Sequence, residues 1–391
     1  MKLGIISDAH HYFDAQGRLC TLTPLAKQFE QWTTLFKEVI VCAPLRSGDP
    51  PPMCSAYNAS NLTLLPITNA GGDSWQAKLH LVQQLPGWVQ TLRQLLKQVD
   101  AIHIRCPNNI SILGLLLLWR SSHLCQAVYT GPWVGYANEP VTYWWQRFML
   151  KHFFRGPVAV YGAWPQQPSH IVPSFSPSYR LSDWEKESSN VEAKITRLES
   201  LPRLGEPIRL LSVGSLDWRK NQQLVIRSLK VIQNHGLVAH LTLLGDGPLR
   251  STLEQLTDEL DLRSQVHFNG YTSYEDVRQF YRQTDFVVQA TRSEAFGKVP
   301  IEAFFHGAIP ILSDVDLSSQ FIGNSERGRC FPLEDISSIA NHVNELSQNP
   351  QEMIRLIRNG RLYAHELTLE AWRDHIRVML ESFWGISLST S

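Results

Sequence analysis

Two glutamates, Glu294 and Glu302, stand eight residues apart in ATRSEAFGKVPIEAF, residues 290–304. Phe296-Gly297-Lys298 lies between them, and Pro300 precedes the second carboxylate. Such a pattern fits a catalytic carboxylate pair, a metal site, a clamp for a polyhydroxyl ligand, or a helix start with ordinary surface charge. Pro300 suits a first helical turn, and a carboxylate there complements the helix dipole. A glycine feeding a helix N-terminus also offers outward N–H groups to an anion such as phosphate. Carboxylates suit polyols because they only accept, and their hydrogen bonds are charge-assisted. One loop of this kind can hold ribose, diphosphate and a second sugar in sequence, which is the outline of a sugar nucleotide. Asp314-Val315-Asp316 is a D-x-D triplet that can hold a divalent ion, but it follows a buried run, where an aspartate caps the next helix. No other His, Cys or Asp cluster has metal-ligand spacing, so no metal is expected.

The elements that must position these residues follow a repeated order. KLGIISD (2–8) and EVIVCAP (38–44) are apolar runs flanking the helical spacing of 22–36, a strand–helix–strand unit that predicts a parallel sheet. Strands at 61–67, 101–105, 126–131 and 157–162 continue the series, with helices at 75–98, 109–120 and 138–154. From 163 to 205 the pattern weakens into Pro/Ser-rich and then charged sequence, a boundary signal. A second series then begins: strands at 208–216, 239–248, 265–270, 285–290 and 309–313, with helices at 221–236, 249–262, 273–284, 299–305, 335–348 and 350–364. The expected architecture is α/β, two facing Rossmann-like doubly wound domains. The first covers 1–185, with the C-terminal segment 369–391 packing back on it, and the second covers 206–368. Ligands of such sheets bind at the carboxyl ends of the strands, and with two facing domains the expected site is the cleft between them.

Bulk properties narrow the partners. A chain of 391 residues with 43% hydrophobic and 18% charged residues is globular and long enough for two cores. The formal charge is zero overall. Residues 1–190 hold 15 Lys+Arg against 11 Asp+Glu, a net of +4, and the remainder holds 21 against 25, a net of −4. That surplus argues against nucleic acid and fits a mildly basic face meeting an anionic partner. The six scattered cysteines read as reduced thiols of a cytoplasmic protein. The N-terminus reads as a first strand rather than a signal peptide, and ISILGLLLLW (110–119) is too short to span a bilayer.

The block from VGSLDWRKNQQLVIRSL through LTLLGDGPLRSTLEQLTDELDL to ATRSEAFGKVPIEAFFHGAIPILSDV resembles the C-terminal domain of retaining glycosyltransferases of family 4, which have the GT-B fold. Glu294 to Glu302 is similar to their E-x7-E motif. The resemblance implies a nucleotide-sugar donor, UDP- or GDP-linked, and no cofactor. Glu302 would hold the donor ribose and Glu294 the donor sugar, with the backbone of Phe296, Gly297 and Lys298 along sugar and diphosphate. Lys220 would bind the diphosphate. Ser215, after Gly214, stands where the family has an arginine, and Arg219 beside Lys220 supplies a substitute cation. Gly245, Gly247 and Tyr271 would line the base pocket. Catalysis would rest on Lys220, Arg219 and Glu294. On the acceptor side, the loop 7–21 carries His10, His11, Gln16 and a single glycine, Gly17, where the family has paired glycines. Gly131 and Pro132 replace a family histidine, with His10, His11 and His103 as the nearest polar substitutes. Lys298 replaces an apolar residue.

In EPVTYWWQRFMLKHFFRG (139–156), Arg147, Lys151 and Arg155 recur at helical spacing among aromatic residues. A solvated basic stripe on a packed helix is one reading, and contact with a membrane surface or lipid-linked acceptor is the other. The expected activity is transfer of a sugar to a glycan, glycolipid or other hydroxyl acceptor, with peripheral attachment at the inner face of the plasma membrane. A non-catalytic sugar-nucleotide-binding relative of the same fold is the alternative, given Ser215, Gly131 and the single Gly17.

Overall fold

The computed structural model describes residues 1–388 apart from 71, 73, 120, 137, 138, 201–205 and 295. The chain divides into two units: Met1–Pro177 with Leu369–Ser391, and Ser178–Thr368.

The first unit opens with β1 (Lys2–Ile6), β2 (Tyr12–Phe13), β3 (Leu19–Leu22), α1 (Thr23–Thr33), β4 (Glu38–Pro44), β5 (Cys54–Ala56) and β6 (Leu62–Ile67). It continues through α2 (Trp75–Leu96), β7 (Ala101–Cys106), α3 (Asn109–Leu118), β8 (Leu124–Tyr129), α4 (Val141–His152), β9 (Val158–Tyr161) and β10 (Ile171–Ser174). Seven strands form a parallel sheet in the order β10-β9-β8-β7-β1-β4-β6. Successive residues of a strand face opposite sides, so the apolar runs bury both faces. Ile6, Ile40 and Ile104 pack under α2, α3 and α4, whereas Leu3, Ile5 and Val41 pack under α1.

The loop 7–21 differs from expectation. It is not an open loop but a β2–β3 hairpin that joins β5 in a small antiparallel sheet. Its turn is organised by Asp14, which accepts from the amides of Gln16 and Arg18 at 3.0 and 2.8 Å, while Gly17 takes φ +75°. An aspartate and a left-handed glycine are what a tight turn needs.

The second unit runs α5 (Leu181–Ser200), β11 (Ile208–Val213), α6 (Gln222–Asn234), β12 (Ala239–Leu244), α7 (Arg250–Glu259), β13 (Val266–Phe268), α8 (Tyr274–Gln283) and β14 (Phe286–Gln289). It ends with α9 (Lys298–Phe305), β15 (Ile309–Ser313), α10 (Ser318–Ile322), β16 (Arg329–Phe331), α11 (Ile336–Ser347) and α12 (Pro350–His365). Its six-stranded parallel sheet has the order β13-β12-β11-β14-β15-β16.

The charged stretch after 163 is therefore not all connection. Its part 181–200 is α5, placed by buried Val191, Ile195 and Leu198. Fully buried Glu187 adds a bidentate bond from Arg282 and a 3.2 Å contact with His306. The remaining 201–205 lie outside the described residues.

The chain then returns to the first unit with α13 (Leu369–Trp384). Trp372, Ile376, Met379 and Leu380 are buried on the α1 face, with the Trp372 ring edge-on to Trp32 at 5.5 Å. No helix among the described residues is long and apolar enough to cross a membrane.

Candidate active site

In the second unit the expected donor residues converge at the carboxyl ends of β11, β12 and β14, where an open parallel sheet places ligands. The loops leaving these strands are laced by their backbones. The amide of Gly214 donates to Leu244 O at 2.9 Å, Leu216 to Asp246 O at 3.0 Å, and Gly245 to Gly270 O at 2.9 Å. This close approach is why two of the positions are glycine. A Cβ on Gly245, at φ +134°, would stand 2.0 Å from the Gly214 carbonyl oxygen, and one on Gly247 would stand 2.6 Å from that of Leu216. Tyr271 is exposed, with its hydroxyl 3.4 Å from Asp246 O.

The turn after β11 is built around Asp217, which the sequence reading did not single out. Its carboxylate accepts from the Ser215 hydroxyl at 2.7 Å, the Arg219 amide at 2.9 Å and the Arg219 guanidinium at 3.0 Å. Partial burial pushes this carboxyl up, but the Arg219 guanidinium and Ser215 hydroxyl outweigh it and hold the group down at about 2. Ser215 thus orients the aspartate that fixes Arg219. The motif S-x-D ahead of R-K-N carries that signal, because Asp and Ser favour local turns. Lys220 stacks its stem over Gly214 and pairs its ammonium with Glu294.

The loop after β14 is pinned from several sides. Thr291 Oγ1 and the Arg292 amide donate to Arg219 O at 3.1 and 2.8 Å, and Arg292 also reaches Trp218 O and Glu334. Asp316 accepts from the Glu294 amide at 2.7 Å and the Ser293 hydroxyl at 3.3 Å. One aspartate of the D-x-D triplet therefore positions Glu294. Among the described residues, no group of three or more His, Cys, Asp or Glu is placed to hold a metal ion.

Gly297 is the N-cap of α9 and supplies no side-chain cap to that helix end. Lys298 opens that helix, where a cation is unfavourable unless an anion is bound. The Phe296 ring is held edge-on to Phe321 at 5.1 Å. Glu302 is 9% exposed, and each of its oxygens already accepts a hydroxyl, from Ser178 at 3.0 Å and Tyr281 at 2.9 Å. The Tyr274 hydroxyl fixes Ser178 through its carbonyl at 2.7 Å. Ser178, Tyr274 and Tyr281 were not found from sequence, because they lie 21 to 124 residues from the groups they hold.

The expected acceptor-side residues of the first unit do not form one cluster. His10 is exposed, with Nε2 3.1 Å from Asn69 Oδ1. His11 is fully buried, one ring nitrogen on Ala9 O and the other on Tyr57 OH, both at 2.9 Å, and burial holds its pKa down at about 4. An acceptor-lining role for His11 is therefore corrected to a structural one. His103 is likewise buried, packed on Trp32 at 4.8 Å and bonded to Gln126. Gln16 and Gly17 occupy the exposed hairpin turn, so this position is not a phosphate-cradling loop. Gly131 follows β8, where a Cβ would stand 3.1 Å from the Tyr129 ring.

The stripe Arg147–Lys151–Arg155 also needs correction. Arg147 is buried, bonded by both terminal nitrogens to Glu139 and at 3.0 Å to the Tyr129 hydroxyl. The solvent side of α4 is aromatic instead.

Comparison with known proteins bears on the fold and the kind of protein. A curated but uncharacterised glycosyltransferase of Methanocaldococcus jannaschii is 29% identical over 150 residues, 38% of each chain. The lipopolysaccharide core biosynthesis glycosyltransferase LpsD of Rhizobium meliloti is 26% identical over 273 residues, 64% of this chain and 75% of LpsD. The alpha-D-kanosaminyltransferase of Streptomyces kanamyceticus is 26% identical over 200 residues, 51% of this chain and 52% of that protein. The chain thus spans under two thirds of the length of the first and third. Among solved structures, the sucrose-phosphate synthase of Thermosynechococcus elongatus superposes with a TM-score of 0.72 at 19% identity, over 98% of this chain and 99% of that one. Anabaena HepE in complex with UDP and glucose superposes at 0.70 and 14%, over 98% and 100%. The fold is therefore that of GT-B proteins, and residues 195–363 match the family model described as glycosyl transferases group 1.

Proposed function

We propose that this chain is a retaining, metal-independent glycosyltransferase of the family 4 type, moving a hexosyl group from a nucleoside-diphosphate sugar to a hydroxyl acceptor. The observation that carries the reading is the convergence of Lys220, Arg219 and Glu294 beside the uncapped N-terminus of α9, inside the segment matching the group 1 model. Cations beside a helix N-terminus suit a diphosphate, and a carboxylate next to them suits sugar hydroxyls.

In this reading Lys220, Arg219, Lys298 and the amides at Gly297 stabilise charge on the departing diphosphate. The acceptor hydroxyl attacks the anomeric carbon on the face the diphosphate leaves, and its proton passes to the leaving phosphate oxygen. The protein then supplies positioning and electrostatics rather than a nucleophile. Glu294 holds the donor sugar and Glu302 the ribose. Gly214 and Ser215 border the phosphates, with Gly245, Gly247 and Tyr271 around the base. His10, Gln16, Gly17 and Gly131 remain candidates for the acceptor side.

UDP or GDP is the proposed nucleotide. HepE has been solved with UDP and with UDP-glucose, and LpsD belongs to lipopolysaccharide core biosynthesis, which favours a glycan or lipid-linked acceptor in polysaccharide or glycoconjugate synthesis. Six unpaired thiols suit a cytoplasmic setting. The test is nucleoside-diphosphate release from UDP- and GDP-sugars by purified protein, with the anomeric configuration of the product read by NMR. Inversion of the anomeric centre would overturn retention. Binding of the donors without turnover on any hydroxyl acceptor would overturn catalysis.

A further inference from the structure

The surface formed by α3 and α4 carries aromatic side chains that the donor site does not use. Trp119, Trp144, Phe148 and Phe153 are 50%, 52%, 40% and 45% exposed. They are continuous: Trp119 meets Phe153 at 5.9 Å, Phe153 meets Phe148 at 5.7 Å, and Phe148 stacks on Trp144 at 5.5 Å and 11°. Val141 and Leu116 on the same two helices are 78% and 45% exposed. Scattered apolar residues are normal on a surface, but a stacked aromatic row is an interaction patch.

Charge indicates the partner. Residues 109–156, which hold α3, α4 and the segment between them, contain four Lys+Arg and one acid, Glu139, a net of +3. That single acid is consumed by buried Arg147. Lys151 and Arg155, at the C-terminal end of the row, have no ion-pair partner among the described residues. A pocket lined by Leu115, Leu118, Met149, His123 and Arg155 opens beside Trp119 and Phe153.

We propose that this face docks the first unit onto an anionic lipid bilayer, the aromatic row entering the headgroup–acyl boundary while Lys151 and Arg155 meet lipid phosphates. Trp and Phe favour that boundary, and basic residues beside it are attracted to the surface potential of anionic lipids. The chemistry is the reverse of a solvated basic stripe: the apolar row lies outermost and the cations flank it. This rests on the lipid-linked acceptor in the proposed function only for its purpose, not for its evidence.

The test is flotation of the full chain with phosphatidylcholine vesicles, with and without phosphatidylglycerol, at low and high salt. Binding is expected to need the anionic lipid and to weaken with salt. Trp144→Ser and Phe148→Ser should each lower partition about tenfold, and Lys151→Glu with Arg155→Glu should abolish the preference for phosphatidylglycerol. All four positions lie outside the donor site, so melting temperature, UDP or GDP binding and donor hydrolysis should stay as in the parent. Failure to float at low salt would overturn the docking surface, as would flotation indifferent to the aromatic substitutions. A dimer in sedimentation equilibrium that these substitutions dissolve would overturn it too, by giving the patch to a second copy. Vesicle binding with no glycosyl transfer would leave the docking surface standing and remove only the proposed activity.

Discussion

The pairing of Lys220 with Glu294 sets up two substitutions with opposite signs. In the unliganded protein the ammonium proposed for the diphosphate is held by the carboxylate proposed for the donor sugar. A diphosphate must therefore compete with Glu294 for Lys220. The two side chains are 20% and 32% exposed, and a part-exposed pair of this kind is worth about 1 kcal/mol. Glu294→Gln removes that competition together with a negative charge beside the phosphates. UDP or GDP should then bind about fivefold more tightly, since 1.4 kcal/mol is a factor of ten. Lys220→Ala should lose a charged hydrogen bond of about 1.5–3 kcal/mol, weakening the same ligand roughly ten- to a hundredfold. Glu294→Gln should nonetheless lose most transfer activity, because the sugar's hydroxyl acceptor has changed. Isothermal titration with the nucleoside diphosphate, alongside a turnover assay, reads both effects. Weakening of the bare diphosphate by Glu294→Gln to the extent seen for Lys220→Ala would refute the reasoning. So would turnover that survives it intact.

The hydroxyl of Tyr281, at 2.9 Å from Glu302, should matter to ribose more than to phosphate. Tyr281→Phe is expected to lower affinity for ribonucleoside diphosphates while leaving 2′,3′-dideoxy analogues unchanged, as read by titration calorimetry. Gly245→Ala places a Cβ 2.0 Å from the Gly214 carbonyl oxygen at φ +134°, so denaturant unfolding should show a loss of about 3 kcal/mol or more. Burial holds His11 neutral to about pH 4, against 6.5 in an unfolded chain. The unfolded state therefore binds the extra proton between these values, and this contribution is complete above pH 6.5 and lost as the pH falls toward 4. It amounts to about 3 kcal/mol, and His11→Gln should flatten that part of the stability–pH curve. Glu187→Gln weakens both the Arg282 bond and the contact with His306 inside the second unit. It should cost about 3 kcal/mol in the unfolding of that unit, visible as a lowered melting temperature.

Legibility in the sequence followed the range of the interactions involved. Strands such as 38–44 and 309–313 are continuous apolar runs buried on both faces, and they stand where the runs stand. Helix α5 was hidden because its inward stripe begins with a charge, Glu187, whose partner Arg282 lies 95 residues away. The β2–β3 hairpin was hidden for a different reason. Two- and four-residue strands leave little periodicity, and only Asp14 and Gly17 mark the turn. In the donor site the local pattern singled out Glu294, Gly297 and Glu302, and the family resemblance added Lys220 and the strand-end glycines. What it could not show is the support beneath them: Asp217 under Arg219, Asp316 under Glu294, and Ser178 with Tyr281 around Glu302. On α4, periodicity alone made Arg147 part of a surface stripe, whereas its pairing with Glu139 takes it inside.

Helix α13 follows the second unit in the sequence, yet Trp372, Ile376, Met379 and Leu380 complete the core around α1, which precedes that unit. During synthesis the order of completion is therefore inverted. The second unit, continuous from Ser178 to Thr368, has all its parts before the first unit has its final wall. Until α13 emerges from the ribosome, Trp32 and Phe36 lack the cover of Trp372 and Trp384, the condition in which nascent chains need a chaperone. Of these two units, the one begun earlier is the one that can finish folding only later.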